Sequence, residues 1–348
     1  MSARLTRRNA LRLSAAAALV GPWGCRSRRR LTLYNWGDYL SPAVQERFEA
    51  EHGVTLTQDF FRAEAEMEAK LRAHAPYDLV VPIDYVLSVL QRDGLLQRLD
   101  PLPKGVEHLD PAFPPWEARA ERGGGIWAIP YLWGTTGIGY DSEKVPRVES
   151  WRSLFDERYA GHITVIDSKG DVLDQALLAA GLGINSVDKE RIEREVVPRL
   201  RAQKQILRAY DSDPARGLVS GEIWIAQIDS GDLVRARRKR PSLRYVIPRE
   251  GAALWVDYLG IPAAAAEPEL ARAFIELLLD PAMAAKNADD LGFATPNATA
   301  LAQGLVELAD DPAIYPSAET RHTLHRSENW DGSVGEQADR IWLDLRTG

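Results

Sequence analysis

The chain has 348 residues, of which 45% are hydrophobic, so it is long enough for two globular domains and is neither small nor disordered. Charged residues make up 27% of the sequence, both signs are interspersed, and the formal net charge is -7. This balance excludes the single-sign basic surface of a nucleic-acid-binding protein and favours a cationic solute.

The first 25 residues have the composition of a bacterial export signal. Arg7 and Arg8 precede an apolar run over residues 13–20 that is too short to span a bilayer. The arginine pair resembles a twin-arginine signal, although Ala10 stands where such a signal carries a bulky apolar residue. Cleavage after residue 24 would remove four arginines and change the formal net charge from -7 to -11. We therefore predict an exported, acidic protein.

Cys25 is the only cysteine of the chain and would be the first residue after that cleavage. Its position predicts the lipid attachment of a bacterial lipoprotein, so that the periplasmic protein would touch the membrane only through its lipid. Pro22 departs from the leucine that such signals usually carry, and the alternative is an incidental thiol at the edge of the signal. A lone cysteine excludes an intrachain disulfide.

The segment after residue 30 alternates between strands and helices. Strands are predicted over residues 31–35, 54–60 and 77–81, and helices over residues 42–52 and 63–75. Ser41 is expected to cap the first helix, Pro42 to begin it and Gly53 to end it. The pattern predicts a parallel sheet covered by helices, with ligand-binding loops at the carboxyl ends of its strands, residues 36–39 and 82–85.

The middle of the chain repeats this pattern, which predicts two similar α/β halves. Strands are predicted over residues 163–166 and 223–228, and helices over residues 171–182, 188–207, 267–279 and 336–345. Residues 101–115 are punctuated by prolines and are predicted to form a long connection between elements.

The sequence lacks the motifs that mark common enzyme classes. It contains no HExxH, no GxxxxGK[ST], no GxSxG and no GxGxxG after a strand. Of the six histidines, only His322 and His325 are expected to share a helix face, where a solvated surface explains them better than a metal site. We predict a protein that is not an enzyme and that needs no cofactor or metal.

Aromatic residues stand beside carboxylates in three segments that are predicted to be loops. These segments are Trp36-Gly37-Asp38-Tyr39, Asp84-Tyr85 and Trp255-Val256-Asp257-Tyr258. Each has an ordinary explanation, since tryptophan usually packs in a core and Asp84 could cap a following helix. Their recurrence favours a cleft that binds ammonium groups through ring faces and carboxylates. A linear polyamine fits this chemistry, and so does a basic amino acid or a quaternary amine.

Asp257 is the strongest single candidate for a ligand-binding residue. It follows Trp255 by two positions, so on an extended strand the ring and the carboxylate would point to the same face. The alternative is a structural role in which the Asp257 carboxylate accepts hydrogen bonds from backbone amides.

Five short motifs occur along the chain: LYNW at 33–36, YDLVVP at 77–82, IPYLWG at 129–134, WVD at 255–257 and GFATPN at 292–297. In these motifs and their order the sequence resembles the periplasmic spermidine/putrescine-binding proteins of bacterial polyamine importers, from about residue 31 onward. The resemblance implies the type II periplasmic binding protein fold, in which two lobes, each a mostly parallel sheet flanked by helices, hold the ligand in the cleft between them. One lobe would comprise residues 31–134 and 258–303, and the other residues 135–257 and 304–348.

The resemblance also implies a set of ligand-binding residues. The expected aromatic or acidic character is kept at Trp36, Asp38, Tyr39, Tyr85, Asp171, Trp255 and Asp257, with Asp84 as a further candidate, while Phe293 keeps the ring without a hydroxyl. Three positions depart from the family, because Ser168 replaces an acid, Asp229 an aromatic residue and Asp331 an amide. Since the carboxylates have moved rather than disappeared, we expect a cation whose amine spacing or headgroup differs from that of spermidine. Crowded acids in an empty cleft would raise at least one pKa.

The leading interpretation is a monomeric substrate-binding component of an ABC importer, which delivers a polyamine to an inner-membrane permease. The same fold could instead bind a metal ion, an anion or another organic cation, although the pairing of rings with acids disfavours the first two. An exported glycoside hydrolase that uses two carboxylates is the alternative from another class. A sensor that presents its bound ligand to a receptor would carry the same sequence features.

Overall fold

The computed structural model describes residues 29–113, 116–117, 124–328, 330 and 332–347. Within these ranges, eleven strands form one mixed sheet and helices pack against it. The predicted export segment, Cys25 and Asp331 lie outside the described residues. Of the helices described, none is both long enough and apolar enough to cross a membrane.

The elements alternate along most of the chain, as the sequence pattern predicts. The strands are β1 (Arg30–Asn35), β2 (Thr55–Phe60), β3 (Leu79–Val80), β4 (Trp116–Glu117), β5 (Ile126–Asp141), β6 (Ile163–Ile166), β7 (Leu207–Asp211), β8 (Ile225–Asp229), β9 (Leu243–Val246), β10 (Ala252–Gly260) and β11 (Leu324–His325). The helices are α1 (Pro42–His52), α2 (Glu64–Arg72), α3 (Leu87–Arg92), α4 (Lys169–Ala179), α5 (Lys189–Arg191), α6 (Val197–Ile206), α7 (Pro214–Ser220), α8 (Ser230–Lys239), α9 (Pro268–Leu279), α10 (Pro281–Leu291), α11 (Ala298–Ala302), α12 (Ala318–Arg321) and α13 (Gly332–Thr347). A π-helical segment, Ile192–Val196, joins α5 to α6, and a 3₁₀ turn, Asp84–Val86, precedes α3.

The strand order of the sheet is β2-β1-β3-β10-β5-β8-β6-β7. Strands β1, β2 and β3 are parallel and form the amino-terminal half-sheet, while β6, β7 and β8 are parallel and form the distal half-sheet. Strands β5 and β10 lie between the two and run antiparallel to each other. Each half is therefore parallel, as predicted, and two antiparallel strands connect the halves.

Strand β5 is long enough to contact both halves, since it extends over 16 residues and nearly all of them are buried. Its second half pairs with β8, where Thr136 lies opposite Asp229, and its first half pairs with β10, where Gly134 lies opposite Trp255. Strand β10 in turn reaches β3 through the pair of Gly260 and Val80. Residues at the middle of β5 and β10 consequently lie between the two half-sheets.

Each half-sheet has its own apolar core. In the amino-terminal half, Leu33 of β1 is buried in the same cluster as Phe48 of α1 and Phe274 of α9, whose rings meet edge to face at 4.9 Å. In the distal half, Trp151 is buried with Ile163 of β6, and its indole nitrogen donates to the Gly251 carbonyl at 2.7 Å. Full burial of one such side chain contributes about 1.5–3 kcal/mol, so each core stabilises the half-sheet on which it packs.

Residues 306–314 pack on the amino-terminal half. Val306 lies in a cluster with Ala285 of α10 and Ala300 of α11, and Ile314 lies in the cluster that contains Tyr34 of β1. The chain then reaches the distal half through β11, which pairs with β10, and through α13, whose buried face joins the core around α4.

The predicted boundaries of α1 are confirmed, but the expected role of the Ser41 hydroxyl is wrong. Pro42 begins the helix, and Gly53 ends it with a φ of 63°, a left-handed conformation that glycine adopts without strain. Ser41 occupies the cap position, yet its buried hydroxyl donates to the carboxylate of Asp290 on α10 instead of accepting from the helix. A hydrogen bond to a charged carboxylate is stronger than one to a neutral backbone amide. The Ser41 hydroxyl therefore links α1 to α10 and does not cap α1.

Two further expectations are corrected by the structure. The Trp255–Tyr258 segment was expected to be a loop, whereas it lies within strand β10, because its backbone pairs with β5. His322 and His325 do not share a helix face, since α12 ends at Arg321 and His325 belongs to β11.

Candidate functional site

The loop after β1 carries two aromatic residues of the site, Trp36 and Tyr39. Asn35 is fully buried at the end of β1, and its side-chain amide nitrogen donates to the Tyr39 carbonyl at 3.2 Å while its oxygen accepts from the Trp36 amide at 2.9 Å. These bonds fix the loop. Trp36 then packs on Phe61 with ring centroids 4.4 Å apart. Asp38, at a φ of 54°, stays exposed at the rim of the junction.

The rings of three buried or half-buried residues form a continuous wall. Phe293 meets Trp255 edge to face at 5.3 Å and Tyr39 at 5.4 Å. Tyr131 supports Tyr39 from the other side, with an edge contact of 5.5 Å and a hydroxyl that donates to the Tyr39 carbonyl at 2.7 Å. Edge-to-face pairs add about 0.5–1.5 kcal/mol each beyond their buried area, so these contacts stabilise the wall.

Trp255 is held in place by the strand opposite it. A methyl group at Gly134 would lie 2.4 Å from the indole ring, so only glycine leaves room for this orientation. The indole nitrogen of Trp255 donates to Oδ1 of Asp229 at 3.2 Å, and the hydroxyl of Thr136 donates to the same oxygen at 2.7 Å. Both donors converge on one oxygen, and within the described residues Oδ2 of Asp229 receives no hydrogen bond.

Asp257 lies two residues after Trp255 on the same strand and is only 6% exposed. Burial raises the pKa of Asp257 well above its ordinary value, the nearby Tyr39 hydroxyl lowers it, and the negative charges of Asp84, Glu64 and Asp229 raise it again. No positively charged side chain is among these main influences. The Tyr39 hydroxyl is itself buried and forms no hydrogen bond of ordinary geometry within the described part of the chain.

Asp229 and Asp171 come from the distal half and show the same behaviour. Burial raises the pKa of Asp229 to about 7, helped by the negative charges of Asp232 and Asp171. Burial also raises the pKa of Asp171 to about 6, the Ser168 hydroxyl lowers it, and the charge of Glu64 raises it. Ser168 is the N-cap of α4, where its hydroxyl accepts from the Asp171 amide at 3.5 Å. The departure at Ser168 therefore has a local structural role.

Asp84 and Tyr85 lie in the 3₁₀ turn after β3. Burial raises the pKa of Asp84 to about 6, while the Arg326 guanidinium, with its Nη1 3.7 Å from Oδ2, lowers it. Burial likewise raises the pKa of Tyr85, and the charges of Glu64, Asp171 and Asp257 act in the same direction. Asp84 does not serve as a side-chain cap of α3.

The acidic side chains lie near enough to one another for each to influence the pKa of others. The negative charges of Asp84 in the turn after β3, Glu64 of α2 and Asp229 of β8 raise the pKa of Asp257, and that of Asp171 on α4 raises the pKa of Asp229. The structure thus brings together most of the predicted residues: Trp36, Tyr39, Asp84, Tyr85, Asp171, Asp229, Trp255, Asp257 and Phe293. It leaves Asp38 at the rim, uses Ser168 as a helix cap, and does not describe Asp331.

Three residues of this site are not among those predicted from the sequence. Glu64 begins α2 and influences Asp171, Tyr85 and Asp257, although nothing near it in the sequence marks it. Thr136 of β5 orients Asp229, and its position next to the IPYLWG motif is the one signal that could have found it. Arg326 pairs with Asp84 across 242 positions of the chain.

The chemistry of the arrangement suits an organic cation. Buried carboxylates without a built-in cation raise one another's pKa, and a bound ammonium group would neutralise them. The aromatic wall would cover the apolar spacers between ammonium groups and attract the charges themselves.

The chain is similar to known solute-binding proteins. The family model described as bacterial extracellular solute-binding protein matches residues 43–316. The spermidine/putrescine-binding periplasmic protein of Escherichia coli (strain K12) is 32% identical over 333 residues, 93% of this chain and 93% of that protein. A putrescine/agmatine-binding protein of Pseudomonas aeruginosa is 31% identical over 361 residues, 96% of this chain and 95% of that protein.

Solved structures give the same result. The spermidine/putrescine ABC transporter substrate-binding protein of Streptococcus pneumoniae has a TM-score of 0.77 and 30% identity over 91% of this chain and 98% of that one. The Tp0655 lipoprotein of Treponema pallidum has a TM-score of 0.76 and 25% identity over 91% of this chain and 99% of that one. The predicted resemblance is confirmed, and the fold is that of type II periplasmic binding proteins.

Proposed function

The chain belongs to the family of bacterial extracellular solute-binding proteins, and on that premise we propose that it captures a polyamine-like cation and delivers it to the membrane permease of an ABC importer. The observation that carries the proposal is the set of Asp257, which is buried, and Asp171 and Asp229, which are half-buried. No positive side chain is among the main causes of their raised pKa values. Such a set is costly unless a cation joins it. The relatives named for spermidine, putrescine and agmatine support an amine as that cation.

The proposed ligand-binding residues divide into two kinds. The carboxylates of Asp171, Asp229 and Asp257 accept hydrogen bonds from ammonium groups, while the rings of Trp36, Tyr39, Tyr85, Trp255 and Phe293 cover the methylene groups. Asp84 already has the Arg326 guanidinium as its partner. Each cation over a ring face contributes about 0.5–2 kcal/mol, and charge-assisted hydrogen bonds to carboxylates fix the amine spacing. Asp38, which is exposed, and Asp331, which lies outside the described residues, remain candidates for ligand contacts.

The ligand is proposed to lie between two lobes that close on it. Residues 31–134 and 258–303 form one lobe and residues 135–257 much of the other. The packing of Val306 and Ile314 on the amino-terminal half supports placing the last crossing after residue 316 instead of at residue 304. Strands β5 and β10, which connect the two half-sheets, would form the hinge.

The remaining parts of the proposal concern the setting of the protein. We assign it to the periplasm as a monomer without catalytic activity, and the names of its periplasmic relatives support that location. Residues 1–25 are proposed to direct export, through the twin-arginine pair, and Cys25 is proposed to carry a lipid that anchors the protein to the membrane. Mass spectrometry of the membrane fraction would detect that lipid, and an unmodified, fully soluble product would contradict the anchor.

Titration calorimetry of residues 26–348 tests the ligand. Spermidine, putrescine, spermine, agmatine and arginine are added in turn, and we expect at least one to bind with a dissociation constant of about 1 μM or less, equivalent to roughly 8 kcal/mol. Failure of every amine to bind would overturn the proposed function. A parallel assay for release of reducing sugars addresses the glycoside hydrolase alternative, and a positive result there would replace binding with catalysis.

A further inference from the structure

Arg326 is the one cation in direct contact with an acid of the proposed site among the described residues. Its Nη1 lies 3.7 Å from Oδ2 of Asp84, whose side chain is 11% exposed. The guanidinium also lies over the ring of Phe113, 5.9 Å from its centre. Because Asp84 acts electrostatically on Asp257, this positive charge belongs to the electrostatics of the cleft.

The backbone that carries Arg326 is fixed to the distal half of the molecule. The Asn185 side chain donates to the Arg326 carbonyl at 2.9 Å and accepts from the Glu328 amide at 2.9 Å. The next residue, Ser327, donates to Asp174 of α4 at 3.0 Å. The arginine therefore extends from an anchored segment toward Asp84, which follows β3 of the amino-terminal half-sheet.

Asp84 differs in this respect from the other acids of the site. The guanidinium lowers the pKa of Asp84, whereas no positive side chain is among the main influences on Asp171, Asp229 or Asp257. A ligand ammonium group that approached Asp84 would come close to the Arg326 guanidinium. The two positive charges would repel each other strongly, because the site is partly buried. An amine at Asp257 or Asp229 would meet no such charge.

We propose that Arg326 is a specificity-determining residue, which supplies one cation from the protein itself and so favours a short diamine over a longer triamine. The two ammonium groups of a diamine share the three acids that lack an internal partner, Asp171, Asp229 and Asp257, and the position at Asp84 is closed to a third ammonium group. This inference rests on the proposed function, because it presupposes that the ligand is an amine.

The test compares the dissociation constants of putrescine and spermidine for the purified parent protein and for Arg326→Gln. The parent is expected to prefer putrescine, and the variant to gain about 10-fold in affinity for spermidine relative to putrescine. Arg326→Lys keeps the charge and is expected to keep the parental ratio. Adding Asp84→Asn to Arg326→Gln should abolish the gain for spermidine, since the released carboxylate is what the third amine would use.

Arg346→Gln is the matched control. Arg346 also pairs with an aspartate, Asp167 at 2.6 Å, and lies over the aromatic rings of Trp342 and Tyr210, but no acid of the proposed site contacts it. This variant is expected to leave both dissociation constants unchanged. Equal weakening of both amines by Arg326→Gln, or an unchanged ratio, would overturn the inference while leaving the proposed function intact. If no amine binds the parent, the proposed function fails and this inference fails with it.

Discussion

Asp229 lies at one end of the ladder that joins β5 to β8, and Asp141 follows directly after the other end. These two residues show two ways in which this protein buries a carboxylate. Burial alone would raise the pKa of Asp141, but hydrogen bonds from Ser242 and from the Glu143 amide lower it. The Arg240 guanidinium, 2.6 Å from Oδ2 of Asp141, lowers it further, so that the pKa lies below its ordinary value. Burial raises the pKa of Asp229 to about 7, and the neighbouring charges are negative. The first acid has its cation built in, whereas the second has none.

This difference separates structural acids from acids that await a ligand. An acid paired within the chain already has its charge balanced, and removal of its partner is strongly destabilising. An acid that accepts hydrogen bonds only from neutral donors, as Asp229 does from Thr136 and Trp255, is held in one orientation. Its negative charge is not balanced by these donors. Its cost is relieved only when a cation arrives from outside, so the contrast predicts where substitutions should affect binding and where they should affect stability alone.

The largest effect is expected from Asp257→Asn. The amide keeps the size of the side chain but removes the charge at the most buried acid of the site, so amine binding should weaken at least about 100-fold, or about 2.8 kcal/mol. The control is Asp93→Asn, because Asp93 pairs with Arg72 and Arg92 at the surface and is not among the acids of the proposed site. Surface pairs contribute at most about 1 kcal/mol, and the dissociation constant should not change. If calorimetry gives the same amine affinity for both variants, the distinction between acids paired within the chain and acids that await a ligand is wrong.

A smaller effect is expected from Gly134→Ala. The added methyl group must displace the Trp255 indole, which loses its bond to Asp229 and its contact with Phe293. We expect amine affinity to fall about 10-fold, since one ring face and one oriented carboxylate are disturbed. Gly37→Ala is the control, because its new methyl group would meet no atom within 4 Å. If Gly134→Ala binds as tightly as Gly37→Ala, the orientation of Trp255 does not matter for binding.

Much of the amino-terminal half could be predicted from local sequence patterns. Alternating apolar runs gave β1 and β2, and Pro42 with Gly53 gave the limits of α1, because these signals act within a few residues. The recurrence of rings beside acids predicts Trp255 and Asp257 as residues of the proposed site. Assigning Asp171 and Asp229 to the same site required the resemblance, since they come from separate elements of the distal half.

The parts that could not be predicted depend on long-range pairing. Strand β5 contains threonine and glycine where a strand usually shows alternation, and it is buried on both faces, so no two-residue period marks it. The segment around Trp255 is predicted to be a loop from its local sequence, because its strand conformation depends on pairing with the distant strand β5. Glu64 and Arg326 reach the site only through the tertiary structure, because their neighbours in sequence carry no signal for it.

Asp229→Asn should stabilise the ligand-free protein. Both hydrogen bonds to Asp229 end on Oδ1, which an asparagine retains, so the substitution removes the charge without disturbing the donors. A folded-state pKa near 7, against an ordinary value of 3.8, means that the folded protein binds the proton more tightly and loses stability as the pH rises from about 4 to 7. We expect the variant to gain about 1–2 kcal/mol above pH 7, with the gain shrinking toward pH 4.

Thermal unfolding of the two proteins across this pH range measures the effect. Asp141→Asn is the opposite control, because it leaves the Arg240 guanidinium without its partner and should destabilise the protein at neutral pH. A stability difference for Asp229→Asn that grows as the pH falls would have the wrong sign and would refute a raised pKa.

The smallest expected effect is the release of protons when an amine binds. At pH 7 an acid with a pKa of about 7 is half protonated, and a bound ammonium group lowers that pKa, so Asp229 should release about half a proton per ligand. The amine itself stays charged, because its pKa lies near that of lysine. Calorimetry in two buffers of different ionisation enthalpy counts the protons, and Asp229→Asn should release fewer. Binding heats that do not depend on the buffer would mean that Asp229 is already ionised before the ligand binds. Burial would then raise the pKa of Asp229 less than the comparison with Asp141 implies.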